Sequence, residues 1–130
     1  MKKTYVSLIF MALSLFGLNM VKAQNTLTVN FSDMTPHIGQ ELHLRVVNLA
    51  DMSEVGRINK LIKTDTFKVS LKGIAPGKSY HVDIYVDLNK NGKYDPPPAD
   101  HAWRLILKNV TGNEKLNFVH NTNFTDIKWP

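Results

Sequence analysis

The chain has 130 residues, 16 Lys and Arg against 11 Asp and Glu, and no cysteine; that is enough for one domain and excludes a disulfide framework or a thiolate metal site. Three of the basic residues, Lys2, Lys3 and Lys22, fall within the first 23 positions, so residues 24–130 carry 13 basic and 11 acidic side chains. A surplus of two, with no basic stripe interleaved with aromatics, gives nucleic acid no electrostatic footprint and an anionic lipid surface no polybasic attraction.

In chain order, Lys2 and Lys3 precede an apolar run from Tyr5 to Met20 that ends at Val21, Lys22 and Ala23. A charged start, a short apolar middle and a small-residue end predict a cleaved signal peptide over residues 1–23 and a single domain over 24–130. The run is short for a membrane span, and no later stretch could replace it, so the mature chain is expected to have no transmembrane anchor. A secreted or periplasmic location in a bacterium fits best, because a eukaryotic secreted domain of this size would often carry disulfides. Without them the domain must hold together by its core, helped by any bound ion.

Seven short apolar segments follow: TLTVNF from Thr26, ELHLRVVN from Glu41, VGRINKLI from Val55, TFKVSLK from Thr66, SYHVDIYVDL from Ser79, AWRLILKN from Ala102 and EKLNFVH from Glu114. Leu27, Val29 and Phe31 share a face, as do Leu42, Leu44 and Val46, Phe67, Val69 and Leu71, and Trp103, Leu105 and Leu107. This period of two marks half-buried antiparallel strands. The third segment also fits a short helix through Val55, Ile58, Leu61 and Ile62. Regular spacing with intervening Gly, Pro and Asn predicts an all-β, antiparallel sandwich of about seven strands. LKGIAPGKSYHVDIYV, Leu71 to Val86, resembles the E-to-F corner of fibronectin type III and related immunoglobulin-like domains. The resemblance implies that the Tyr80 hydroxyl bonds the backbone a few residues upstream. A hairpin from Ala102–Asn109 to Glu114–His120, turning at Val110 to Asn113, departs from that plan. A transthyretin-like or carboxypeptidase-regulatory-like sandwich is the alternative topology.

Between the fifth and sixth segments stands DLNKNGKYD, residues 87–95. Asp87, Asn89 and Asn91 at the first, third and fifth positions, the carbonyl of Lys93 at the seventh, Asp95 at the ninth and Gly92 at the sixth place oxygens where a loop of EF-hand type binds Ca²⁺. A strand enters this loop and Pro96, Pro97 and Pro98 leave it, so no helix flanks it. Pro98 stands where the closing Glu would be, and Asp100 or Asp126 would have to supply that carboxylate. The loop resembles the strand-borne DxNxNGxxD loops of secreted β-sandwich domains such as the B-type repeats of bacterial surface adhesins, which implies calcium binding. Read without an ion, the same residues make a solvated turn.

If connections alternate between the two ends of the sandwich, residues 32–40, 63–65, 88–101 and the tail after His120 share one pole. Residues 49–54, 72–78 and 110–113 share the other. The first pole collects polar groups on long loops, where binding functions concentrate. Pairing Asn109 with Glu114 would set Trp103 opposite His120 and bring His101 near the tail, so that His37, His101 and His120 could converge on zinc or copper. Read as isolated residues, each would be a hydrogen-bonded loop histidine, and His43 and His81, in polar phase on strands, surface residues. Met34 and Met52 read as strand-edge core residues rather than soft ligands. The chain has no cysteine nucleophile, GxSxG, HExxH or glycine-rich phosphate loop, so no enzyme is expected. Tyr94, Trp103 and Trp129 could stack on a sugar, although Trp103 is expected to face the core and Trp129 to lie in a fraying end. Three functions follow: a binding or accessory module with a calcium loop and a protein or glycan partner, a transition-metal binder using the three histidines, and a carbohydrate-binding module.

Overall fold

The computed structural model describes residues 24–130; the expected signal peptide lies outside the described residues. Seven strands form at the seven apolar segments: β1 (Asn25–Ser32), β2 (Glu41–Asn48), β3 (Glu54–Leu61), β4 (Phe67–Ile74), β5 (Tyr80–Asp87), β6 (His101–Leu107) and β7 (Glu114–Val119). The third segment is a strand, not a helix. Its inner positions meet β2 through Ile58 opposite Leu44, and it forms one edge of its sheet, which is why none of its residues is fully buried. Among the described residues no helix is long and apolar enough to cross a membrane.

The strands divide into a three-stranded sheet ordered β4-β1-β7 and a four-stranded sheet ordered β3-β2-β5-β6. Inward residues of both sheets close one core, with Leu27, Val29, Phe31 and Phe118 from the first meeting Leu42, Leu44, Ile84 and Trp103 from the second. The Phe31 ring stacks on Phe67 at 4.8 Å and Phe118 meets Trp103 edge to face at 4.9 Å. Every pairing is antiparallel except β1 with β7, which run parallel from Leu27 beside Glu114 to Ser32 beside Val119.

The expected β6–β7 hairpin does not form. Val110, only 2% exposed, is drawn to the far pole, where Gly77 N–H donates to its carbonyl at 2.8 Å and its own N–H to Lys78 O at 2.9 Å. The chain then crosses to the other sheet, fixed by Thr26 N–H on Asn113 Oδ1. β1 and β2 likewise belong to different sheets, unlike the first two strands of the immunoglobulin plan. The strand order therefore departs from that plan, while the tyrosine-corner contact is present: Ala75 N–H donates to the buried Tyr80 hydroxyl at 2.9 Å.

β5 is buried on both faces because the segment after His120 folds back over the outside of the four-stranded sheet. Thr125 N–H donates to Ala102 O, the Ile127 side chain is fully buried, and Trp129 packs edge-on against Tyr85 at 4.9 Å. Two expectations are corrected. Trp129 does not fray, and His43 is no surface residue: it is 9% exposed, stacked on Tyr85 at 4.5 Å under Trp129, with Nε2 3.0 Å from Glu41. His81 is half-buried. Beneath the tail Asp83 bridges Arg45 and Arg104 on the flanking strands, in register with both.

Candidate functional site: a three-histidine cluster at one pole

The alternation of connections places the loops as expected. Residues 33–40 are tied to the β3–β4 connection by Met34 N–H on Asp65 O, Thr35 Oγ1 on Asp65 Oδ1 at 2.6 Å and Gly39 N–H on Ile62 O. His120 N–H donates to Ser32 O beside them. Pro36 opens a single 3₁₀ turn, Thr35–His37, that turns the His37 ring inward to 2% exposure. His101 begins β6, and His120 follows the last residue of β7.

The three imidazoles meet. His37 Nε2 lies 3.1 Å from His120 Nε2 and 3.3 Å from His101 Nδ1, and each ring offers a ligand nitrogen within 4.8 Å of those of the other two. Two ligand nitrogens at about 2.0–2.1 Å from a tetrahedral zinc stand about 3.3–3.4 Å apart, close to both short separations. The other nitrogen of His37, Nδ1, lies 2.8 Å from Gln40 Oε1. A carboxamide oxygen only accepts, so neutral His37 carries its proton on Nδ1 and turns a bare lone pair on Nε2 toward the other rings. Gln40 occupies this place because a second turn, through Ile38 (φ −59°, ψ 130°) and Gly39 (φ +91°) and closed by Gln40 N–H on His37 O at 3.0 Å, brings residues three apart together; the spacing His37 to Gln40 with Gly39 between was the signal in the sequence that could have revealed it.

An apolar cradle holds the cluster. The Trp103 ring is edge-on to His37, His101 and His120, with centroids at 6.1, 6.2 and 5.8 Å, and Phe124 stacks on His101 at 4.1 Å. Burial lowers the pKa of His37 below its ordinary value; the Gln40 hydrogen bond opposes that shift, and the nearby His120 and His101 add to it. Burial, then His120, lowers His101 as well. His37 and His101 therefore favour the neutral form that binds metals over the charged form that does not. Trp103 reaches His120 across the two sheets, not across the hairpin that the sequence suggested.

The 87–95 loop adopts a tight, internally bonded form. Asp87, 4% exposed, accepts Asn91 N–H at 3.4 Å and Gly92 N–H at 2.9 Å, and Gly92 turns with φ +76°. Asn89 and Asn91 both donate to Asp95 Oδ2, which lowers the Asp95 pKa, and Lys93 N–H donates to Asn91 Oδ1. Asp100, fully buried, clamps the two ends of the loop by accepting Leu88 N–H and Asp95 N–H; burial raises its pKa against those bonds. It stands directly before His101 and so fixes where β6 begins. Asp126 lies in the tail and accepts the Tyr94 hydroxyl at 2.8 Å. Among the described residues, the histidines are the group of three or more His, Asp or Glu side chains with ligand atoms close enough to share an ion. Met34 is fully buried in the core, as expected, whereas Met52 is exposed.

No protein-family model, curated protein or solved structure significantly matches the chain.

Proposed function

We propose that the chain is a transition-metal-binding β-sandwich module whose metal is held by His37 Nε2, His101 Nδ1 and His120 Nε2. The observation that carries this reading is that ligand nitrogens of three rings lie within 4.8 Å of one another, with Gln40 on Nδ1 of His37 leaving its Nε2 lone pair free for an ion. A set of three imidazoles without thiolate suits zinc and copper, and copper(II) binds such a set more tightly. Three protein ligands leave a further position for water or a partner's donor. The role is that of a binding module and not of an enzyme, and the signal peptide expected over residues 1–23 would place it outside the cytoplasm.

The indole of Trp103 beside all three rings supplies the test. Copper(II) added to the metal-free protein is expected to quench Trp103 emission with a sharp endpoint at about one ion per chain. A Trp129→Phe background removes the other indole. Zinc, which does not quench, should restore the emission only in large excess, because copper(II) binds the set more tightly. Metal-free protein that takes up neither ion in stoichiometric amount would sink the reading.

A second reading, calcium at 87–95, is favoured by the folded-back loop with Asp87 engaging Gly92. Asp87, Asn89, Asn91, Lys93 through its carbonyl and Asp95 would be the ligands, with Asp100 acting as the clamp. A loop of this kind in an external module binds with Kd on the order of 10⁻⁴–10⁻³ M. A few millimolar calcium should then stabilise the fold by roughly 1–2 kcal/mol. An Asp87→Ala, Asn89→Ala double variant should lose that increment, and a melting temperature indifferent to calcium in the unaltered protein would rule the loop out.

A further inference from the structure

We propose that the outer face of the four-stranded sheet carries a second site, independent of the histidine pole: a cleft of about 560 Å³ that takes an acidic saccharide, a sugar bearing a carboxylate. The volume lies within the range of small-molecule sites, roughly 300–1,000 Å³. Three segments distant in sequence build it. β3 supplies Arg57 and Asn59, the 88–100 loop supplies Lys93 and Tyr94, and the tail supplies Trp129; the stacked pair His43 and Tyr85 forms the floor.

The aromatic walls are held in place. Tyr94 OH donates to Asp126 at 2.8 Å and accepts Ile127 N–H at 3.2 Å, which joins loop to tail. Trp129 has the guanidinium carbons of Arg45 and Arg57 over its ring at 5.1 and 4.9 Å, contacts that fix an otherwise terminal side chain. Pyranose rings pack their C–H faces on such aromatics, and a pre-positioned ring loses little side-chain freedom when they do.

Charge selects the ligand. None of the side chains that line the cleft is a carboxylate, whereas Arg57 and Lys93 are both cationic. Arg57 Nε is already held by Glu54 at 2.7 and 2.9 Å from its two oxygens. Lys93 takes part in none of the ion pairs formed among the described residues, so its ammonium is the free partner for an anion. Asn59 offers the donor and acceptor that sugar hydroxyls need. A neutral sugar would use the aromatics and leave that ammonium unmatched.

Cellobiouronic acid and neutral cellobiose serve as probes, titrated into the full chain with EDTA and an excess of calcium over it, so that the histidine pole holds no transition metal while the 87–95 loop keeps access to calcium. The acidic disaccharide is expected to shift the amide resonances of Asn59, Lys93 and Tyr94 and the Trp129 indole, and to bind at least about tenfold more tightly than cellobiose. Lys93→Glu, on an exposed loop, should weaken the acidic sugar by about tenfold or more and leave the weak cellobiose binding unchanged. Trp129→Ala should abolish both. Equal affinity for the two sugars would overturn the acidic assignment. An absence of shifts at the cleft, or Lys93→Glu protein that binds the acidic sugar as well as the unaltered chain, would overturn the site.

Discussion

Replacing any one of His37, His101 or His120 with Ala is expected to lower zinc and copper(II) affinity by more than about 100-fold, because even loss of an outer partner of a metal ligand costs about 10–100-fold. Gln40→Ala provides that smaller step. It leaves all three rings in place but removes the acceptor that keeps the His37 proton on Nδ1, so its loss should fall within the 10–100-fold range. Three unrelated loop histidines would respond differently, each losing a small and additive share, with Gln40 without effect. Competition titrations against a chelator of known affinity measure all four variants. Retention of unaltered affinity by the triple variant would overturn the site.

The pH dependence follows from the same burial. His37 and His101 titrate below the ordinary 6.5, so at pH 6.5 their folded rings remain mostly neutral while those of an unfolded chain are half protonated. Metal affinity should therefore hold to pH 6.5 and fall as pH drops below it, where protons displace the ion from the imidazoles. The metal-free fold should lose stability in the same direction. Near pH 6 the unfolded chain binds more protons than the native one, so stability falls as pH is lowered from 6.5 through the folded values. His37→Gln, which cannot protonate, should flatten part of that slope in urea denaturation followed from pH 7 to pH 5.

What was legible in the sequence was whatever repeats locally. Alternation along Leu42, Leu44 and Val46 or along Leu27, Val29 and Phe31 located strands, and counting connections assigned the loops to poles without knowledge of which strands pair. That sufficed to put His37, His101 and His120 at one pole, since each sits next to a strand end and strand ends have only two places to go; the hairpin register that was to draw them closer does not form, and the rings meet across the two sheets instead. Pairing partners were not legible. β7 has the same alternation whether it joins β6 in a hairpin or β1 in parallel, and the choice is made at the far pole, where Val110 bonds Gly77 and Lys78. The tail was missed for a related reason: NTNFTDIKWP has no period, and only the solid packing of Ile127 and Trp129 on β5 reveals its role. Tyr85 in β5 could have hinted at this, being a large aromatic in the polar phase of a strand.

The buried carboxylate beneath that tail is expected to be the most costly single side chain to remove on the outer face. The side chain of Asp83 is 1% exposed and receives Arg104 Nε at 2.7 Å and Nη2 at 3.1 Å, and Arg45 Nε at 3.2 Å. Arg104 Nη2 also donates to Ile127 O at 3.1 Å, and Arg45 lies under Trp129, so the carboxylate aligns both cations that grip the tail. Asp83→Ala would leave two guanidiniums facing each other across one strand with no counter-charge. Removal of one partner from a buried pair costs roughly 3–5 kcal/mol. The side chains of Arg45 and Arg104 are 12% and 29% exposed, and water reaching them should hold the cost near the lower figure. Urea denaturation should show that loss at both low and high salt, since a buried pair is weakly screened. Trp129 emission should shift to the red as the tail lifts. Asp83→Asn, which keeps the shape and one of the two acceptor oxygens but not the charge, should lie between Asp83→Ala and the unaltered chain. A loss under about 1 kcal/mol, abolished by salt, would mean that Asp83 behaves as a surface ion pair and that apolar packing of Ile127 alone holds the tail.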